Sequence, residues 1–90
     1  MDLRWSEEKA NFLKKEREID VHHLSELFKE GEWLDYFEHP NRPQQTVYVF
    51  NENNYALVTI CVEDSENNGG LFLKTAYFSR EHTKFYLRSK

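Results

Sequence analysis

Apolar positions follow two rules along this 90-residue chain. Up to Gly31 they recur every three or four residues, which is the period of a helix face, and beyond Trp33 they alternate, which is the period of a half-buried strand. In "LRWSEEKANFLKKERE" a short extended lead-in precedes a first helix. Ser6 stands where a cap is needed, Glu7 and Glu8 suit the positive end of the dipole, and Lys14, Lys15 and Arg17 suit the negative end. Ala10, Phe12 and Leu13 supply its apolar stripe. "DVHHLSELFKEG" predicts a second helix, with Asp20 as N-cap, Val21, Leu24, Leu27 and Phe28 at helical spacing, and Gly31 where helices stop. "TVYVF", "YALVTICV" and "LFLKTAYF" are rich in the β-branched and aromatic residues that suit strands. "NENN" predicts a hairpin turn between the first two, and "EDSENNGG" a longer polar loop between the next two. Ser79 then caps a final helix, "REHTKFYLRSK". The predicted order is α-α-β-β-β-β-α, with room for an extra strand at the N-terminus. This is a single α+β domain over residues 1–90: two N-terminal helices, an antiparallel sheet of three to five strands, and a C-terminal helix, with the helices expected on one face of the sheet.

Composition supports a folded domain. Aromatic residues make up 16% of the chain, and each buried ring contributes about 2 to 3 kcal/mol, which a short chain needs. No apolar run approaches the roughly 20 residues of a membrane span. The "MDLRWSEEKA" start has no leader pattern, and Cys61 stands alone in an apolar run. A small core hydrophobe in a reducing cytoplasm is therefore expected, with no intrachain disulfide and no membrane partner.

Charge changes the picture more than composition does. The net charge is −4, but it is unevenly spread. Between positions 18 and 38, Glu18, Asp20, Glu26, Glu30, Glu32, Asp35 and Glu38 face Lys29 alone; from position 74 onward, Lys74, Arg80, Lys84, Arg88 and Lys90 face Glu81 alone. A basic end kept in an acidic chain points to an anionic partner or an acidic protein surface.

Two stretches carry a family resemblance. Trp5, Lys9, Glu16-Arg17-Glu18 and Ile19 sit where the BrnT-like family of type II toxins has a W-x-x-x-K, a basic-His-Gly triplet and then Val or Ile. "LKTAYFSREHTKFY" resembles that family's closing strand and its Arg-containing helix. Arg17 stands at the family's His position and Glu18 at its Gly position. The resemblance implies a RelE-type fold, metal-independent endoribonuclease activity in the cytoplasm, a cognate antitoxin as partner, and no cofactor.

Cleaving RNA without a metal requires a base for the 2′-hydroxyl, an acid for the leaving oxygen and cations for the developing charge, while aromatic faces hold the bases. Arg80, Lys84 and Arg88 are spaced i, i+4, i+8 and form a basic ridge on the last helix, with His82 and Tyr86 as an i, i+4 pair. Strict alternation places Lys74 on the face opposite Thr75 and Tyr77, and a phosphate is expected between Lys74, Arg80 and the helix start at Ser79. Terminal helices also end in Lys and Arg simply because cations suit the dipole, so Lys84, Arg88 and Lys90 admit that reading too. Arg80 does not, since it stands in the first turn. His39 lies beside Arg42 in the "EHPNRPQQ" loop and is a second proton-carrier candidate. The candidate catalytic residues are thus Lys74, Arg80, His82 and His39, and the candidate RNA contacts Lys84, Arg88, Tyr77, Tyr86 and Arg42.

Other chemistries find no support. His22 and His23 are adjacent and project about 100° apart on a helix, without metal-ligand spacing, and no phosphate-binding glycine loop, serine-nucleophile motif or carboxylate pair is visible. A non-catalytic reading stands beside the ribonuclease one: a protein-binding module of a mobile element or phage, expected to be homodimeric. In it the acidic face of the second helix meets the basic C-terminal helix of a second copy, or a basic antitoxin, and Trp33, Tyr36 and Phe37 serve as anchors.

Overall fold

Strand β1 (Leu3–Arg4) is followed by helices α1 (Glu7–Arg17) and α2 (Val21–Glu30). Strands β2 (Asp35–Glu38), β3 (Gln45–Glu52), β4 (Tyr55–Asp64) and β5 (Gly70–Ser79) then lead into helix α3 (Arg80–Leu87). The computed structural model describes residues 1–66 and 69–88. Part of the expected "EDSENNGG" loop, Lys90 of the basic cluster and the last two residues of the expected final helix lie outside the described residues. The order matches the sequence pattern, extra N-terminal strand included, and the domain is α+β.

Helix ends follow local chemistry. Ser6 Oγ accepts the Lys9 N–H at 3.1 Å, and Asp20 Oδ1 accepts those of His22 and His23 at 2.9 and 3.4 Å. Gly31, at φ 68°, donates its N–H to the Leu27 carbonyl and closes α2. Helix α1 closes the same way without a glycine: Glu18 takes φ 56°, and the Ile19 N–H reaches back to the Leu13 carbonyl at 3.0 Å. In the β3–β4 hairpin Asn53 and Asn54 both have positive φ, at 54° and 65°, as a two-residue type I′ turn demands.

The strands form one sheet in the order β1-β5-β4-β3-β2. Strands β2 to β5 are an antiparallel meander, and β1 adds a parallel pair in which Leu3 stands opposite Leu71. A buried carboxylate, Asp64, meets Arg4 at 3.0 Å and ties β1 to the end of β4. One sheet face carries α1 and α2. Phe28 of α2 is its centre, with ring centroids 5.0 Å from Tyr48 and 4.9 Å from Phe50, surrounded by Leu13, Leu24, Leu57 and Leu73. Of the expected α1 stripe, Leu13 is buried, but Phe12 lies outside under the cations of Lys9 and Arg17. Cys61 is fully buried on this face, and burial pushes its thiol up to about 12, so it is a core hydrophobe and a poor nucleophile.

Helix α3 departs from the one-face expectation. It packs on the opposite face, where Tyr86 joins the cluster of Val47, Val49, Ala56 and Val58. Alternation along the strands separates these residues from Tyr48, Phe50 and Leu57. Thr83, 1% exposed, fastens the helix: its hydroxyl donates to the Ser79 carbonyl at 2.6 Å and accepts the Ala56 N–H at 2.8 Å. Eight helical residues span only about 12 Å, whereas the ten residues of β4 or β5 span about 33 Å. The helix therefore covers part of its face, and Phe37, Ile60, Val62, Phe72 and Tyr77 remain half-buried.

Candidate functional site

The loop from His39 to Gln44 is shaped by its own bonds. The His39 N–H donates to the Gln45 carbonyl at 2.8 Å, the Gln45 N–H to the Arg42 carbonyl at 2.9 Å, and the Asn41 N–H to His39 Nδ1 at 3.1 Å. Pro40 and Pro43 fix two further φ angles. The outcome is a short, preorganised loop that holds Arg42 beside the sheet.

Lys74 arrives there from another direction. Ile60 pairs with Thr75 and Cys61 with Leu73, so Lys74 is the extra residue of a β-bulge. Bulges break strict alternation and re-aim a side chain. Lys74 accordingly lines a depression of about 340 Å³ with Arg42, Pro43, Gln44, Gln45 and Val62. By strand register Val62 and Gln45 share the face of Tyr77 and α3, so the expectation that Lys74 points away from Tyr77 is corrected. Neither Lys74 nor Arg42 has a carboxylate within ion-pair distance among the described residues. Glu63 borders an adjoining depression with Gln44 and Val62.

The remaining candidates divide along α3. Two residues along a helix amount to about 200°, so the ridge of Arg80, Lys84 and Arg88 projects nearly opposite His82 and Tyr86. The ridge is exposed, while His82 and Tyr86 are half-buried against the sheet side. Their rings stack at 6.3 Å and 10°. Ser79 Oγ accepts the His82 N–H at 3.1 Å and lies 2.7 Å from His82 Nδ1. The hydroxyl thus holds both the backbone and the ring of His82. Tyr86 donates its hydroxyl to Asp35 Oδ2 at 2.5 Å, and burial followed by this carboxylate pushes the phenol up to about 12. It stays neutral and tied. Tyr77 packs in the same apolar cluster.

The structure therefore brings Lys74 together with Arg42, on the face that also holds Tyr77, His82 and Tyr86. It does not bring Lys74 to Arg80: about 16 Å of strand separates Lys74 from Ser79, and the Ser79 hydroxyl is already engaged by His82. His39 keeps its Nδ1 as an acceptor inside the loop, so only Nε2 is available outward. Sequence reasoning did not assign Phe37, Ile60, Val62 and Phe72 to this surface. The signal was present in the period-two pattern, which sets them on the face of Val47 and Tyr77 once strands are paired. Arg17, at the position where the resembled family has His, is a structural anchor: its Nη1 donates to Thr75 Oγ1 at 3.0 Å and to the Ala76 carbonyl at 2.8 Å.

Among the described residues no group of three or more His, Cys, Asp or Glu is placed to hold a metal ion, and no helix is long and apolar enough to cross a membrane. No protein-family model, no curated protein and no solved structure matches this chain.

Proposed function

We propose that this protein acts on RNA, as a toxin-like endoribonuclease of a toxin–antitoxin system or a divergent descendant of one, working in the cytoplasm. The observation that carries the reading is the part of the α3 face beyond the helix, where Lys74 and Arg42, without a carboxylate partner among the described residues, line a depression with Val62, and half-buried Phe72 stands opposite Val62 in the strand pairing. Splayed bases stack on such a surface while cations at its rim hold the backbone. In this reading Lys74 and Arg42 grip a phosphate and His39, in the same loop as Arg42, is the proton carrier beside it, while His82, at the Ser79 end of the same face, contacts a neighbouring nucleotide. Arg80, Lys84 and Arg88 are not part of the reaction centre, because the helix turns them away from the sheet face that holds Lys74 and Arg42.

The test pairs growth after induced expression with RNA cleavage by purified protein, for wild type, Lys74→Ala, Arg42→Ala and His39→Ala, each confirmed folded. Growth arrest and cleavage by wild type are expected. Lys74→Ala and Arg42→Ala should weaken single-stranded RNA binding about tenfold each, and His39→Ala should slow cleavage at least about a hundredfold with binding retained. Wild type that neither binds nor cuts RNA overturns the proposal.

A protein-binding module is the second reading. It is favoured by exposed apolar side chains away from that face: Phe85 is 69% exposed, Tyr36 59% and Leu34 42%.

A further inference from the structure

The basic ridge of α3 and the acidic stretch from α2 into β2 take no part in the proposed RNA site, and each is joined to an exposed apolar group. On α3, Arg80, Lys84 and Arg88 are exposed, and Phe85 stands out beside them with its ring against Tyr86 at 4.8 Å. On the other sheet face Tyr36 is stacked on Tyr48 at 5.7 Å and backed by Trp33, and exposed Leu34 and the exposed carboxylates Glu30, Glu32 and Glu38 lie within six residues of it along the chain. Both patches reach the same border of the sheet. Tyr36 lies on β2 itself, and Tyr86 anchors the C-terminal turn of α3 to Asp35 of β2.

We infer that these two patches meet between copies of this chain in a two-fold dimer. A two-fold axis along β2, in the plane of the sheet, turns the partner over and sets its α3 on the side where the first copy carries α2. Phe85 of each copy then packs on Leu34 and Tyr36 of the other, and the α3 cations face Glu30 and Glu32. The contact occurs twice, as an isologous interface requires. Aromatic anchors inside a charged rim are the usual anatomy of a specific interface, and the opposite charges give orientation. Pairing β2 with a second β2 is not the route. That strand is only four residues long with an acid at each end, and its Tyr36 N–H is already held by Asp35 Oδ1 at 2.8 Å.

Sedimentation velocity over a range of concentration and salt tests the arrangement. Wild type should dimerise at low salt and dissociate as salt rises, and Phe85→Ala should weaken the dimer at least about tenfold. Two reversed chains, one carrying Lys84→Glu with Arg88→Glu and one carrying Glu30→Lys with Glu32→Lys, should each be monomeric alone. Mixed, they should form a heterodimer, because both contacts then regain opposite charge. Circular dichroism confirms that each variant folds. Wild type that is monomeric throughout, a wild-type dimer that the reversals leave intact, or a mixture that stays monomeric overturns the inference. Since the ridge lies opposite His82, none of these outcomes depends on whether the protein cleaves RNA.

Discussion

Glu18 occupies a backbone position made for another residue. At φ 56° its Cβ crowds the following carbonyl, which costs an L-residue roughly 1 to 2 kcal/mol, whereas glycine takes that conformation at an entropic cost of about 0.5 to 1 kcal/mol. Glu18→Gly should therefore stabilise the fold by about 0.5 to 1 kcal/mol in urea unfolding, with an unchanged slope. A loss of stability would mean that the carboxylate makes a contribution larger than the strain. At this scale the sequence was most readable where the chemistry is local. Ser6, Asp20, Gly31 and Ser79 cap where they were expected to, because a cap needs only residues within one turn. Lys74 was misread for the opposite reason. Alternation was counted along β5 alone, and the bulge that turns the side chain exists only in the pairing of β5 with β4.

Helix α3 shows what an element can and cannot disclose. Its cap and its two flanks follow from 100° steps in the sequence, and that same arithmetic separates the basic ridge from His82. Which sheet face it covers does not follow, since Thr83, Tyr86 and Leu87 would suit either. The choice rests on contacts distant in sequence, Thr83 to Ala56 and Tyr86 to Asp35. The second of these makes docking pH-dependent. The Tyr86 phenol is raised from 10.0 to about 12 in the folded chain, so the neutral form is favoured by folding. That contribution is fully present below pH 10 and is lost as pH rises toward 12. Tyr86→Phe should be less stable than wild type by about 0.5 to 1.5 kcal/mol at neutral pH, and the gap should close between pH 10 and 12. Thermal melts of the two proteins across that range give the difference directly. The comparison also removes the background from Cys61 and Tyr48, which burial raises in both proteins. A gap that stays constant with pH would show that the hydroxyl is not bonded to Asp35 in solution.

For the whole molecule, the sum of charges and their placement say different things. A net charge of −4 repels a polyanion at long range, so RNA would be held by few contacts and only when stacking assists. With Lys74 and Arg42 as the phosphate contacts, the logarithm of RNA affinity should fall against the logarithm of salt with a slope of about −1.4, at about 0.7 per contact on a single strand. A slope near −3.5 would instead recruit the three cations of the α3 ridge as well. Such placement was beyond the sequence, because Arg42 and Lys74 are 32 positions apart and meet only through strand register. The α+β order was legible from the periodicity of the chain, and at the position where the resembled toxin family has His stands an arginine that braces α1 on β5. A ribonuclease built here would have to find its proton carriers on the other side of the sheet.

The carboxylate of Asp35 holds the Tyr36 N–H with one oxygen and the Tyr86 hydroxyl with the other. It therefore does for the outer border of the sheet what a gatekeeper does in fibril-resistant proteins, occupying a backbone donor that a stray strand would otherwise seize. The guard is itself kept in place by the last helix. Detachment of α3 would loosen that carboxylate and bare the apolar strands beneath it in a single event, so protection against self-association in this chain extends only as far as its C-terminal turn stays docked.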